Sequence, residues 1–276
     1  MQSNFPKVIP CAIYVPGRRV LQLVINYKNT SDALAKIVSK IAEHNINILS
    51  GFIIAEPSKD VGVLTFFLDF TDSNLDSKEV VEELKALDIV LDARVIVRKF
   101  GEIAVDGTTY TTIFLGERVV MLSVDGIGAM FDWLDQTFQT GGHAILYQMG
   151  EQAGRTNIKE LRETYGLRGR DLIEAFLALR TAAGWFDYEI VEYDEEALKF
   201  VIRLHGNFEC TPFVNKRDRP MGHLMRGLLA GAFGESYGRE FSIREVKCIA
   251  KGDDYCEFVI TSVTRKENEE EGGEGL

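Results

Sequence analysis

The chain has 276 residues, 46% of them hydrophobic, with 42 acidic against 31 basic side chains and a net charge of −11. That length suits two domains, each able to bury a core, and the acidic balance excludes the clustered Lys and Arg on which nonspecific nucleic-acid binding depends. No apolar run approaches the roughly 20 residues of a membrane span, no secretory signal opens the chain, and four cysteines do not make a disulfide scaffold at this length; a cytoplasmic protein is expected.

From Val20 the pattern predicts strand, helix, strand, strand, helix, strand. Val20–Asn26 is a short apolar run, and Asn29-Thr-Ser31 offers N-cap residues. Ala33, Leu34, Ile37, Val38 and Ile41 then follow helical spacing. Ile48–Ala55 and Val61–Phe70 are β-rich and joined by the turn cluster Glu56-Pro-Ser-Lys-Asp60. Asp76 caps a second helix with apolar positions Val80, Val81, Leu84 and Leu87, and Ile89–Val97 closes the unit. The order is that of a ferredoxin-like βαββαβ sandwich, one antiparallel sheet with both helices on one face.

Residues 18–99 resemble an ACT domain, on that order and on the helix end Glu43-His-Asn-Ile-Asn47 running into a strand. The resemblance implies a regulatory module that pairs through its sheets and binds an amino acid or related ligand. Its ligand loop corresponds to Tyr27-Lys-Asn-Thr-Ser31, with Asn29, Thr30 and Ser31 as contacts. The loop lacks the glycine usual there, and a dimerisation module that binds nothing is the alternative.

Lys99-Phe-Gly-Glu and Asp106-Gly-Thr-Thr mark the change of domain. The first domain is expected over residues 1–100, the second over 105–263, and an acidic disordered tail over 264–276. Thr109–Phe114 and Arg118–Ser123 are expected as strands opening the second domain. Residues 127–184 read as helical: a stripe of Met130, Phe131, Leu134 and Phe138, a helix around Ala144–Met149 with Gly150 and Gly154 one turn apart, and a third helix through Leu172–Leu179 ended by Gly184-Trp185. Phe186–Glu192 and Leu198–His205 are predicted strands, and residues 220–236 a further helix. Lys251-Gly-Asp-Asp254 is a turn signal, so the last segment reads as a hairpin with Cys248 and Cys256 opposite each other. Two facing thiols can share a metal, form a disulfide, or pack as small buried hydrophobes. The fold class is therefore α+β, with an α/β second domain of helices packed on an antiparallel sheet.

Leu146-Tyr-Gln-Met-Gly-Glu-Gln-Ala-Gly154, Gly227-Leu-Leu-Ala-Gly231 and Glu245-x-x-Cys248-x-x-x-Gly252-x-x-x-Cys256 together resemble the 4-vinyl-reductase (4VR) domain over about residues 110–262. Such domains are dimeric modules for small, often aromatic ligands; relatives sense phenols in bacterial transcription activators, and the fold is similar to a vesicle-tethering subunit. In the phenol sensors the acid and both cysteines of the last motif hold a structural zinc with a third cysteine, which implies Glu245, Cys248 and Cys256 here. The third cysteine's position is Gly222, which cannot coordinate, so Cys210 or His223 is the candidate replacement. Side chains alternate along a strand, so Glu245 points away from Cys248 unless a bulge intervenes.

The glycines Gly227, Gly231 and Gly234 suit close helix packing, and Gly150 and Gly154 suit either packing or room for a ligand. Tyr147, Trp185, Phe186 and Gly150 are the candidate ligand contacts. There is no Gly-x-Ser-x-Gly elbow, no phosphate-binding loop, no dinucleotide-binding glycine motif and no paired histidines at helical zinc spacing, so no catalytic residue is assigned. The leading expectation is a homodimeric small-molecule sensor or regulatory protein, with a structural zinc as its candidate cofactor, acting on a protein partner. An enzyme or accessory of tetrapyrrole or aromatic metabolism and a ligand-free assembly module are the alternatives.

Overall fold

The computed structural model describes residues 6–56 and 58–263. The acidic tail expected at 264–276 lies outside the described residues. The chain forms two compact units divided between Val119 and Val120.

The first unit runs β1 (Ala12–Tyr14), β2 (Val20–Lys28), α1 (Ala33–Ala42), β3 (Asn47–Ile54), β4 (Val61–Asp69), α2 (Ser77–Lys85), β5 (Val90–Ile96), β6 (Lys99–Phe100), β7 (Ile103–Val105), β8 (Thr112–Phe114) and β9 (Glu117–Val119). Its main sheet has the order β3-β4-β2-β5 with every neighbouring pair antiparallel, the ferredoxin-like arrangement. Ala33, Ile37 and Ile41 recur one turn apart and are wholly buried, as are Val80 and Leu84 on the second helix, so both helices lay an apolar stripe against Leu23, Ile25, Leu64 and Leu68 of the central strands. Asp76 starts the second helix with a capping box completed by Glu79. The first helix differs from expectation at its start. Its N-cap is Asp32, and Asn29 instead donates its amide to the carbonyls of Glu56 and Lys59 at 3.1 and 3.0 Å, tying down the turn between β3 and β4.

Residues 99–119 belong with this first unit rather than opening the second. β7 pairs with β1, and Val15, Val20, Phe67 and Ala104 form a small core of their own. The buried Gln22 fastens the following turn: it accepts from Gly107 N–H at 2.8 Å and donates to Asp106. Only β8 and β9 form at the two strands expected next, and residues 120–123 are not strand.

The second unit contains α3 (Val124–Phe138), α4 (Thr140–Tyr165), α5 (Gly169–Ala182), β10 (Asp187–Asp194), β11 (Lys199–His205), α6 (His223–Tyr237), β12 (Phe241–Lys247) and β13 (Cys256–Ser262). Its antiparallel sheet has the order β10-β11-β13-β12, and short 3-10 turns occupy Thr211–Phe213 and Ile249–Lys251. On α3 the expected apolar stripe is split: Phe131 packs toward the core, while Met130 and Phe138 are about half exposed.

α6 is apolar almost all round and buried from Met225 through Gly234 except at Arg226, because α4, α5 and β12 pack against it. Glycines decide how closely α4 approaches. A Cβ on Gly227 would lie 1.9 Å from the Tyr147 carbonyl oxygen, and one on Gly231 would lie 2.0 Å from that of Glu151. From the other side, Gly150 and Gly154 face the carbonyls of Leu224 and Leu228 at 2.1 and 2.2 Å. The contacts advance together along both chains, so the helices run parallel with their backbones touching. Each mid-helix glycine costs about 1 kcal/mol in helix propensity, which this contact offsets.

Candidate metal centre

The site is built where the ends of β11, β12 and β13 meet the N-terminus of α6. In the last hairpin Glu245 pairs with Phe258, but Lys247 already pairs with Glu257, so Val246 is an extra residue in the ladder. That bulge shifts the alternation by one and turns the Glu245 carboxyl to the side of Cys248. After Cys248 the chain tightens into the turn Ile249–Lys251 and passes Gly252 at φ +102°, a conformation that favours glycine. Asp253 holds this loop by accepting the Cys248 N–H at 2.8 Å. Cys256 then opens β13, and Cys210 sits ahead of the turn Thr211–Phe213.

Donor atoms of Cys210, Glu245, Cys248 and Cys256 all lie within 4.8 Å of one another. The Sγ of Cys248 is 3.6 Å from that of Cys210 and 4.0 Å from that of Cys256, and Cys210 Sγ is 3.9 Å from Glu245 Oε1. A tetrahedral site with metal–sulfur bonds of about 2.3 Å has sulfur–sulfur edges of about 3.8 Å, and the observed separations bracket that length. All three cysteines are fully buried and none is oxidised.

The surroundings suit thiolates. The wholly buried Asn207 directs its amide Nδ2 to Cys210 Sγ at 3.4 Å and Cys256 Sγ at 3.7 Å. Donors from Cys210 and Cys256 depress the Cys248 thiol far below its ordinary range, while the bond to Cys248 pushes Cys210 up. The three sulfurs thus share protons around one negative charge, and a divalent cation would displace those protons. Burial pushes Glu245 up to about 9, with the nearby Cys248 adding to the shift; the Gly222 N–H, donated to its Oε2 at 2.8 Å, opposes it.

A second carboxylate was not legible in the sequence. Glu209, 1% exposed, accepts the N–H groups of Leu224 and Met225 at 2.7 and 2.9 Å and so caps α6 from a neighbouring loop. Burial raises it to about 8 despite those two bonds. In Asn207-Phe-Glu-Cys210, polar and apolar residues mix as they do in any exposed loop, and no local signal marks the two polar ones as buried.

His223, the other candidate ligand, does not join the cluster. Gly222 sits against Glu245, where a Cβ would meet Oε2 at 2.7 Å, and the next residue is already rotated away on the first turn of α6. His223 stacks on His143 with ring centroids 3.9 Å apart and accepts from Arg226 at Nδ1. Burial, with His143 and Arg226 nearby, lowers its pKa to about 4, so it is neutral at pH 7.

The candidate ligand contacts fall in two places. Tyr147 is half-buried on α4 near Arg226, and Gly150 has no free space beside it: the Leu224 carbonyl already fills the gap, so this glycine serves helix packing. Trp185 lies edge-on to Phe208 at 4.9 Å, and Phe186 is part of the buried core. In the first unit Asn29 holds the 56–59 turn, Thr30 donates to Asp32 at 2.7 Å, and Ser31 is exposed.

Residues 200–262 match the 4-vinyl-reductase (4VR) domain, a segment that spans β11, α6 and the last hairpin with all four clustered donors. The uncharacterized protein MJ0150 of Methanocaldococcus jannaschii is 28% identical over 121 residues, covering 44% of this chain and 65% of that protein. Among solved structures, the phenol-responsive sensory domain of the transcription activator PoxR aligns with a TM-score of 0.49 at 17% identity, covering 54% of this chain and 79% of that one. A vinyl-4-reductase family protein from Methanocaldococcus jannaschii aligns with a TM-score of 0.37 at 20% identity, over 53% and 85%. No helix among the described residues is long and apolar enough to cross a membrane.

Proposed function

We propose that this protein is a small-molecule-binding sensor or regulatory protein whose second unit is stabilised by a structural zinc ion on Cys210, Glu245, Cys248 and Cys256. The observation that carries the reading is the convergence of those four donors within 4.8 Å from three separate segments. Three thiols and a carboxylate are a donor set that zinc accepts in a closed, tetrahedral site, and such a site stabilises a fold rather than holding an open position for catalysis. The 4-vinyl-reductase match over residues 200–262 supports a ligand-binding role for this unit, with Tyr147, Trp185 and Phe186 as its candidate contacts.

The first unit acts in this reading as an ACT-like module that pairs two copies or binds an amino acid through Asn29, Thr30 and Ser31. Its edge strand β3 favours pairing of two copies: among the described residues it has no strand neighbour beyond β4, and it exposes Ile48, Leu49, Ile53 and Ile54.

Elemental analysis with native mass spectrometry, on protein purified without added metal or a histidine tag, tests both parts. The expected result is one zinc per chain in a dimer, with the metal lost in Cys248→Ser and Cys256→Ser. Metal-free protein with its thiols unmodified would remove zinc from the reading, and a monomer at micromolar concentration would remove the pairing.

A further inference from the structure

Arg180, in the last turn of α5, is 8% exposed. Its guanidinium lies over the Phe176 ring at 3.4 Å from the centroid, with the Trp185 ring at 5.7 Å. Nη1 donates to the Phe176 carbonyl and Nη2 to Asn157 Oδ1, both at 2.6 Å. The Nε–H is buried and has no acceptor. No ion pair reaches Arg180 among the described residues, although more exposed arginines take carboxylates: Arg155 with Glu151, Arg170 with Glu174, Arg203 with Glu257 and Arg219 with Asp135.

A buried cation without a counter-charge bears the desolvation cost with no Coulombic return. The C-terminal end of α5 offsets part of that cost, and the Phe176 and Asn157 oxygens take two of the five N–H groups. Burial lowers the group only to about 9, so it keeps its charge at pH 7. What is left over is specific: a guanidinium edge with an idle Nε–H, set between two aromatic rings. A carboxylate meets such an edge with two parallel hydrogen bonds, and the aromatic faces suit an apolar body attached to it.

We propose that Arg180 is the anion-recognition group of a small-molecule site on the second unit, and that the ligand is an organic carboxylate with an aromatic or aliphatic body resting on Phe176 and Trp185. This rests on the ligand-binding reading above and narrows its ligand to acids. It also explains why an arginine stands where a methionine would pack.

The test uses the full chain, isothermal titration and thermal unfolding, with benzoate and octanoate as probes and benzyl alcohol and octanol as their neutral counterparts. At least one acid is expected to bind and raise Tm, with its alcohol binding at least tenfold more weakly. Arg180→Met should abolish the acid's effect while its own ligand-free Tm equals or exceeds that of the parent, because the substitution removes an uncompensated charge. Arg180→Lys should keep the charge but weaken binding at least tenfold by losing the fork. Alcohols binding as well as acids would overturn the carboxylate assignment and leave the ligand-binding reading standing. Binding of neither class, with a lower Tm in Arg180→Met, would assign Arg180 to capping α5 and would count against that reading too.

Discussion

Asn207 directs one amide group toward two sulfurs, Cys210 and Cys256, from a fully buried position. Its backbone carbonyl accepts from Cys210 and Thr211, which fixes the loop that delivers Cys210 to the cluster. An N–H aimed at a sulfur stabilises the thiolate over the thiol and fixes where the sulfur points. Groups in this position change metal affinity by about 10–100-fold when removed. Asn207→Ala is therefore expected to weaken zinc binding by about that factor without changing its stoichiometry, as read by competition with a chromophoric chelator. Equal affinity in the variant would mean that the amide only fills space.

Among the elements, the α4–α6 contact is the most sensitive to a single atom. A methyl group on Gly227 would overlap the Tyr147 carbonyl, and backbone cannot rotate away as a side chain can. Gly227→Ala is expected to destabilise the protein by about 2–3 kcal/mol, the range for overpacking a well-filled core. Gly141 provides the contrast, since the nearest atom to its Cβ position is 3.8 Å away and the residue is exposed within the same α4. Gly141→Ala should stabilise by about 0.5–1 kcal/mol through helix propensity. Urea unfolding of both variants checks the pair, and equal effects would show that the contact is looser than the geometry states. The bulge at Val246 is the other decisive element, because one residue more or less in β12 turns Glu245 out of the cluster.

For the whole molecule, the two units have separate cores: Leu23, Ile25, Leu64 and Leu68 in one, Phe176, Phe200, Phe233 and Phe258 in the other. Zinc bound at the cluster would join the ends of the second unit's sheet to the N-terminus of α6 through Glu245, which also accepts from Gly222. Chelation is accordingly expected to lower amide protection in α6 and in β12–β13, while the buried strands β2 and β4 keep theirs. Hydrogen exchange with mass spectrometry reads this directly. Uniform loss across both units would mean that the metal supports more than its own core.

The sequence alone determined whatever repeats or sits close along the chain. The helical stripes of α1 and α2, the βαββαβ order, the last hairpin and the pairing of Cys248 with Cys256 depend on spacings of a few residues, and local sterics enforce them. Glu245 was legible as a candidate but its direction was not, because a bulge arises from how two strands meet. Only the tertiary structure decided between Cys210 and His223, since 13 positions separate them along the chain and burial, not order, brings Cys210 to the sulfurs. The same holds for Asn207, Glu209 and Arg180. Polar residues read as solvated until three-dimensional packing removes their water, and that removal is what gives them their chemistry.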